Sequence, residues 1–274
     1  MTTGGQMGGF YQALTHQEVE TIHQKAFDIL EEVGVGFEDG LEALEMLDQA
    51  GCTIDTQTHK VFIPRDLVTK MVSQAPGEFT LFSRDGKNNL FIGKDRVYAG
   101  TGGTTVNILD LKTGKQRGTL LKDQYSITKL VDTLDNIHFY QSAVAPLDIP
   151  VERYDPNILF TAMMGTTKHI MFGCSFCSGL EEAFKIASLV AGGDEILRAK
   201  PIFSTTACVI ISPLKFCSQS VAKIQQAAKL GIPTSITSAP MSGSTAPMTM
   251  AGTLLQSHAE VMAGITVHQL TMPG

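Results

Sequence analysis

Two segments rich in small side chains stand where the sequence predicts strands to end. They are Tyr98–Thr105 (YAGTGGTT) and Ser238–Gly252 (SAPMSGSTAPMTMAG). Small side chains let the backbone lie close to a ligand, and free amides at the start of a helix can bind a carboxylate or a phosphate. The same residues also suit a tight turn from a strand into a helix. Both interpretations stay open, because neither segment has the spacing of a Walker motif or a dinucleotide-binding motif.

Cysteines are a second group of residues that could carry chemistry. Cys174 and Cys177 have Cys-x-x-Cys spacing after one predicted strand, and Cys208 lies at a similar height on the next. Three thiolates could hold a zinc ion, although this spacing is only half of a zinc pattern. The alternatives are redox-active thiols and ordinary buried thiols. We favour buried thiols and expect no bound metal, and the odd total of five cysteines indicates reduced thiols.

Two acidic residues lie in segments of apolar and small residues. Asp148, in the segment APLDIP, could place a negative charge in a binding site or could cap the turn before Pro150. Glu260 lies between Ala259 and Val261 on a predicted helix, and a carboxylate in such surroundings needs a partner. We therefore predict a buried structural ion pair at Glu260, with a catalytic carboxylate as the alternative.

Composition limits the classes of function. Hydrophobic residues make up 43% of the 274 residues and charged residues 18%, which is enough for a large core. The formal charge of −6 disfavours a general surface for nucleic acid or anionic membranes, since both need clustered Lys and Arg. No apolar run reaches the roughly 18 residues of a membrane span, and the amino terminus has no signal pattern. A cytoplasmic protein is expected.

The elements that would position these residues repeat along the chain. Apolar, β-rich runs begin near Val97, Ile137, His169, Pro201 and Ile232, and the last four starts are 32, 32 and 31 residues apart. Helical patterns alternate with them, which is typical of parallel βα units covered on both faces. Such units build either a doubly wound sheet or a TIM-type β/α barrel, and the even spacing favours the barrel.

Residues 1–95, before the repeats, are predicted to form a helical and β-hairpin extension. Thr15 and Glu18 have the spacing of a capping box at the start of an amphipathic helix. Residues 96–274 would then hold about five of the eight βα units of a barrel, with an inserted hairpin around Lys112. We therefore expect the first part of a longer catalytic domain.

A barrel builds its active site at the carboxyl ends of its strands. No catalytic residue is assigned from the sequence. The residues expected to bind substrate there are Thr101, Gly102, Gly103, Asp148, Cys174 and Ser212.

Four long segments carry a resemblance to a known family. In chain order they are GGFYQALTHQEVETIHQKAFDILEEVGV, DRVYAGTGGTTVNILDLKTGKQR, SPLKFCSQSVAKIQQAAKLGIPTSITSAP and PMSGSTAPMTMAGTLLQSHAEVMAGITVHQLTMPG. The sequence resembles the trimethylamine methyltransferase family, which includes glycine betaine methyltransferases, and the resemblance covers essentially the whole chain.

This resemblance implies a β/α barrel that moves a methyl group from a quaternary amine or a methylamine to the Co(I) corrinoid of a separate partner protein. A corrinoid that reaches the mouth of the barrel needs a floor of small side chains. A homo-oligomer is allowed, and no metal bound directly by this chain is expected. The residues that would face the corrinoid are Met241, Ser242, Gly243, Ser244 and Thr245.

Two other functions stay open at this point. The chain could be a non-catalytic fragment or scaffold that binds a corrinoid protein, or it could be a zinc-thiolate methyltransferase. Some members of the family carry pyrrolysine in the later half of the barrel and act on trimethylamine, while members without it act on quaternary amines. The 274 residues do not include that position, so the amine stays unassigned.

Overall fold

The computed structural model describes residues 5–9, 11–40 and 42–274. The α-helices in chain order are α1 (His16–Asp28), α2 (Leu44–Gln49), α3 (Arg65–Gln74), α4 (Leu121–Asp132), α5 (Tyr154–Gly165), α6 (Cys177–Ala191), α7 (Asp194–Ala199), α8 (Ser218–Leu230) and α9 (Met250–Thr271). The β-strands are β1 (Gln6–Met7), β2 (Val35–Phe37), β3 (Thr53–Asp55), β4 (Lys60–Phe62), β5 (Phe79–Leu81), β6 (Leu90–Ile92), β7 (Arg96–Val97), β8 (Asn107–Leu109), β9 (Gln116–Gly118), β10 (Phe139–Gln141), β11 (His169–Phe172), β12 (Phe203–Cys208), β13 (Ile210–Ile211), β14 (Lys215–Phe216) and β15 (Thr234–Thr237). A π-helical turn, Ile29–Val33, follows α1, and a 3₁₀ turn, Val151–Arg153, precedes α5.

The described chain divides into two compact units. The first unit comprises the described part of Met1–Gly8, together with Glu78–Thr206 and Leu230–Pro233. The second unit comprises the described part of Gly9–Gly77, together with Ala207–Lys229 and Thr234–Gly274.

Parallel strands form the centre of the first unit. Phe139 of β10 pairs with His169 of β11, and Ile170 of β11 pairs with Phe203 of β12, both in parallel register. These strands begin within two residues of the starts predicted from the apolar runs. The buried rings of Phe172 and Phe203 pack edge to face with centroids 6.4 Å apart. An α/β fold with a parallel sheet is confirmed.

The strand predicted near Val97 does not join this parallel sheet as a full strand. β7 covers only two residues, and Val97 pairs antiparallel with Gln6. Further along, Gly100 makes one isolated parallel bridge to Phe139. The positive φ angles of Gly103 and Thr104, 114° and 45°, interrupt an extended strand. Within the described residues, β10, β11 and β12 therefore form an open parallel sheet, and no closed barrel is present.

The two predicted hairpins and the predicted capping box are present. β5 pairs antiparallel with β6, and β8 with β9. At the start of α1, the Glu18 N–H donates to the Thr15 hydroxyl oxygen at 3.3 Å, and the Thr15 N–H donates to the Glu18 carboxylate at 2.7 Å. This reciprocal pair satisfies two amides that the helix leaves free.

A five-stranded sheet in the second unit was not predicted. Its strands lie in the order β13-β14-β2-β4-β3, with only the β14–β2 pair parallel. Each strand has two or three residues, too few to show an alternation of apolar and polar positions. The core of this unit includes Leu30, Phe37, Phe216, Met262 and Val267.

α9 is the longest of the described helices, with 22 residues. Thr249 caps its start, because its side chain accepts the Gly252 N–H at 3.2 Å. The helix packs against α1, α2, α3 and β15. Neither α9 nor any other described helix is long and apolar enough to cross a membrane.

Lys168 is a buried cation at the end of α4. Its ammonium group donates to the carbonyl oxygens of Val131, Leu134 and Ile137, at 2.7, 2.6 and 2.6 Å. These carbonyls lie at and just after the carboxyl terminus of the helix, where they have no partner inside it. A positive charge also suits the negative end of the helix dipole.

His169 makes the stability of the protein depend on pH. Its Nδ1–H donates to the Phe82 carbonyl at 2.9 Å, which leaves Nε2 to accept from the Ser204 hydroxyl, also at 2.9 Å. Burial lowers the pKa of His169 to about 4, from an ordinary value of 6.5. In this window the unfolded chain binds a proton that the folded protein does not, so stability is lost as pH falls from 6.5 towards 4.

We expect His169 to account for about 3 kcal/mol of the free energy of unfolding that disappears across this window. Chemical denaturation at several pH values should show that the free energy of unfolding depends less steeply on pH in His169→Gln than in wild type, whatever the absolute stability of the variant. Equal slopes for the variant and the wild type would contradict this assignment.

Candidate functional site

The carboxylate of Glu260, on α9, is buried and fully hydrogen-bonded. The side chain is 1% exposed. Oε1 accepts the Leu214 N–H at 3.0 Å and the Gln256 amide at 2.9 Å. Oε2 accepts the hydroxyl of Ser212 at 2.8 Å and that of Ser238. We call these five residues the Glu260 cluster.

A close approach between α9 and β15 builds this cluster. Gly264 has no side chain, and a Cβ atom at that position would lie 2.7 Å from Cγ2 of Ile236 in β15. Glu260 lies one turn earlier on the same face of the helix. It therefore reaches Ser238, just after β15, while Ser212 arrives from the turn after β13.

The ion pair predicted at Glu260 is absent from the described residues, so that prediction was wrong. The acidic group has four neutral hydrogen-bond partners instead of a Lys or an Arg. A carboxylate has about four acceptor positions, and here all of them are used. The apolar neighbours of Glu260 in the sequence correctly indicated that its carboxylate needs hydrogen-bonding partners. They did not indicate whether those partners are charged or neutral.

Residues 241–246, which we call the 241–246 loop, fold back on their own backbone. The Met241 carbonyl accepts the N–H groups of Ser244, Thr245 and Ala246, each at 3.0 Å. The Met241 N–H donates in turn to the Thr245 hydroxyl oxygen at 2.9 Å. Gly243 allows this turn because its φ angle is +76°, in the left-handed region that favours glycine.

Gln256 joins the 241–246 loop to the Glu260 cluster. Its amide donates to the Thr245 carbonyl at 2.8 Å and to Glu260 at 2.9 Å. The structure thus connects Ser212, a predicted substrate residue, with Thr245, a predicted corrinoid-facing residue. Sequence reasoning missed Ser238 and Gln256, although Gln256 lies four residues before Glu260 and therefore on the same helix face.

The outer surface of the 241–246 loop carries small and thioether side chains. Ser242, Gly243 and Ser244 are exposed. Met241, Met248 and Met250 are 60%, 84% and 77% exposed. Methionine is common on surfaces that adapt to a binding partner, because its side chain is flexible and polarisable.

Three of the predicted substrate residues of the first unit, Thr101, Gly102 and Gly103, lie beside β10. The Thr101 hydroxyl donates to the Gln141 carbonyl at 2.6 Å and accepts the Gln141 N–H at 3.0 Å. Gly102 and Gly103 are exposed, and a Cβ atom at Gly102 would lie 3.4 Å from Oε1 of Gln141. Their segment is therefore held at the carboxyl end of β10.

Asp148 is exposed and lies at the start of α4. Its Oδ1 atom accepts the N–H of Leu121, the first residue of that helix, at 2.9 Å. This contact caps a helix, whereas the capping role considered for Asp148 from the sequence was at the turn before Pro150. The second carboxylate oxygen leaves room for a further role.

The cysteines occupy different environments. Cys174 is buried and precedes α6, which begins at Cys177. Cys208 is exposed, and its thiol contacts the Ile210 carbonyl at 3.4 Å. Within the part of the chain that the structure describes, no group of three or more His, Cys, Asp or Glu side chains is placed to hold a metal ion.

Comparison with known proteins identifies the family. The family model described as trimethylamine methyltransferase (MTTB) matches residues 6–274. The chain belongs to the trimethylamine methyltransferase family.

Several relatives in this family are similar along most of the chain. Trimethylamine methyltransferase MttB of Desulfitobacterium hafniense is 33% identical over 261 residues, which are 94% of this chain and 52% of that protein. Glycine betaine methyltransferase of Desulfitobacterium hafniense strain Y51 is 32% identical over 273 residues, 98% of this chain and 56% of that protein. Trimethylamine methyltransferase MttB of Methanosarcina thermophila is 34% identical over 265 residues, which are 95% of this chain and 54% of that protein. The chain spans about half the length of the curated relatives it matches.

Substitutions at Asp148 separate its capping contact from a role in substrate binding. We expect Asp148→Ala to lower the free energy of unfolding by about 1 kcal/mol, and Asp148→Asn to lower it less because asparagine also caps helices. Urea denaturation measures both values. In the full-length protein, a weaker apparent affinity of Asp148→Asn for quaternary amine would assign Asp148 to the substrate site, and an unchanged affinity would remove it.

Proposed function

We propose that the full-length protein moves a methyl group from a small quaternary amine or a methylamine to the Co(I) corrinoid of a partner protein. The family match over residues 6–274 carries this proposal. Similar proteins are named as methyltransferases of trimethylamine and of glycine betaine. We place glycine betaine first, ahead of other betaines.

The 241–246 loop supports a role in receiving the corrinoid. A Cβ atom at Gly243 would meet only the end of Met248, at 3.8 Å, so the loop leaves open space above its backbone. The exposed methionines beside it offer an adaptable apolar contact for a broad, flat group. We therefore propose that Met241, Ser242, Gly243, Ser244 and Thr245 face the corrinoid.

The proposed reaction needs little acid or base catalysis from this chain. The carbon–nitrogen bond breaks and its electron pair stays on nitrogen, which leaves as a neutral amine. Cobalt(I) supplies the two electrons of the new cobalt–carbon bond and becomes Co(III). A quaternary nitrogen is already positively charged, so it needs no proton in order to leave. The chain has to hold the amine in line and keep water away.

The wider organisation is part of the same proposal. We propose that residues 96–274 form the first part of a β/α barrel, that residues 1–95 form an extension, and that the full-length protein works in the cytoplasm. The parallel register of β10, β11 and β12 supports the barrel. The residues proposed to face the substrate are Thr101, Gly102, Gly103, Asp148, Cys174 and Ser212.

An optical assay tests the reaction. The full-length protein is mixed with a cognate corrinoid protein reduced to Co(I) and with candidate amines, and absorption follows the change from Co(I) to methylated Co(III). We expect glycine betaine to give this change. If only trimethylamine gives this change, trimethylamine replaces glycine betaine as the proposed substrate. If no amine gives it, although the full-length protein and the reduced corrinoid protein are verified, the methyltransferase proposal is overturned.

A bulky side chain on the 241–246 loop should block the corrinoid. Gly243 is a poor site for this test, because a larger residue at its positive φ angle strains the backbone. Ser244 is exposed and free of that constraint. We expect Ser244→Phe to slow corrinoid methylation more than about tenfold, since a small misplacement of reacting groups has effects of this size.

The matched control for this variant is Ser126→Phe, which adds the same side chain to an exposed position on α4. Calorimetry should show unchanged amine binding in both variants, while only Ser244→Phe loses rate. An equal loss of rate in both variants, or none in either, would contradict the placement of the corrinoid at this loop.

A further inference from the structure

The Glu260 cluster holds a buried negative charge that no described cation neutralises. Glu260 is 1% exposed, and its partners are two hydroxyls, a backbone amide and a side-chain amide. Burial of an unpaired charge costs several kcal/mol in general, and neutral dipoles offset only part of this cost. A fold that only needed to fill this space could use an apolar side chain.

The arrangement of donors around Glu260 suits a carboxylate. Both N–H donors point at Oε1 and both hydroxyls at Oε2, so the four acceptor positions of a carboxylate are occupied. Hydrogen bonds to an ionised carboxylate are also stronger than those between neutral groups. Since the surroundings have a low dielectric constant, the field of this charge reaches further than it would in water.

The hydroxyl side of the Glu260 cluster is its more open side. Ser212 and Ser238 are partly exposed, whereas Gln256 and Glu260 are buried. Each serine donates its only hydroxyl proton to Glu260 and keeps its oxygen lone pairs for contacts on the other side. Two hydroxyl oxygens polarised by a carboxylate therefore belong to the segments that follow β13 and β15, on the more open side of the charge.

This surface matches the chemistry of a trimethylammonium group. Such a group has no N–H to donate, and its positive charge spreads over the methyl hydrogens. It is held by the field of a nearby negative charge and by weak C–H···O contacts. A carboxylate behind hydroxyls supplies both, without the direct contact that would hold the amine too tightly in one orientation.

We infer that Glu260 is the buried counter-charge for the trimethylammonium group of the substrate and acts on it through the hydroxyls of Ser212 and Ser238. This inference rests on the proposed function, and it makes Glu260 a positioning residue. On this inference the protein recognises the charge of the amine as well as its shape.

Two ligands of equal shape and different charge test the inference. Glycine betaine and tert-butylacetate differ only in that a neutral carbon replaces the positively charged nitrogen. Calorimetry on the full-length protein gives the ratio of their dissociation constants. We expect wild type to bind betaine at least about tenfold more tightly, and Glu260→Gln to reduce that ratio by about tenfold.

Gln256→Leu is the matched control for this experiment. It breaks the contact to the 241–246 loop and one hydrogen bond to Glu260 but keeps the negative charge. We expect any loss of affinity in this variant to be equal for both ligands. A ratio that is unchanged in Glu260→Gln, or reduced equally in both variants, would overturn the inference by giving Glu260 a purely structural part.

Wild type alone also provides a decisive measurement, which does not depend on whether Glu260→Gln folds. Equal affinity for the two ligands, including no measurable binding of either, would overturn the inference. Methyl transfer to the corrinoid protein is measured separately in each case. If methyl transfer occurs but the ratio of dissociation constants is unchanged in Glu260→Gln, the proposed function stands and the counter-charge is overturned. If binding depends on the charge of Glu260 but no methyl transfer occurs, the counter-charge stands and the proposed function is overturned.

Discussion

The second unit depends on how closely α9 lies to β15. At Gly264 the helix comes so near Ile236 that even a methyl group would have to displace its neighbours. Protein interiors are packed densely enough that such a displacement moves the helix as a whole. Because α9 also packs against α1, α2 and α3, the hydrophobic core fixes the position of Glu260, and the loops then arrange their polar groups around it.

The Glu260 cluster serves folding and the proposed chemistry with the same atoms. Without the carboxylate, the Leu214 N–H and the Gln256 amide would be left without this acceptor in a mostly buried place. An unsatisfied buried donor is costly, so the turn after β13 relies on Glu260 for its conformation, while the 241–246 loop is joined to Glu260 through Gln256. A protein can keep an unneutralised charge in its interior when several segments need it at once.

The sequence predicted the elements whose signals are local. Apolar runs gave the starts of β10, β11 and β12 within two residues, and the pair Thr15 and Glu18 gave the start of α1. The short strands of the second unit were not predicted, because two or three residues cannot show an alternation of apolar and polar positions. The full strand expected near Val97 was wrong, because that segment is rich in glycine and turns away after two paired residues.

The site was predictable only in part, for a similar reason. Ser212 and Thr245, which the structure connects through Gln256 and Glu260, were chosen because they follow predicted strands, where barrels place their ligands. Apart from Gln256, the donors that complete the Glu260 cluster come from far along the chain. Ser212 is 48 residues and Ser238 is 22 residues from Glu260, and no sequence period joins them. The predicted ion pair failed because the apolar surroundings of Glu260 indicate a need for partners without indicating their charge.

The buried ammonium of Lys168 gives this protein a built-in reporter of local opening. All three of its donors are bound by the carbonyls of Val131, Leu134 and Ile137, so an acylating reagent in solution finds no free amine there. Surface lysines react at once, whereas Lys168 reacts only in molecules where its ammonium group has come away from the end of α4. The extent of its acylation over time, read by mass spectrometry, therefore reports how often this corner of the first unit opens, through local or global unfolding.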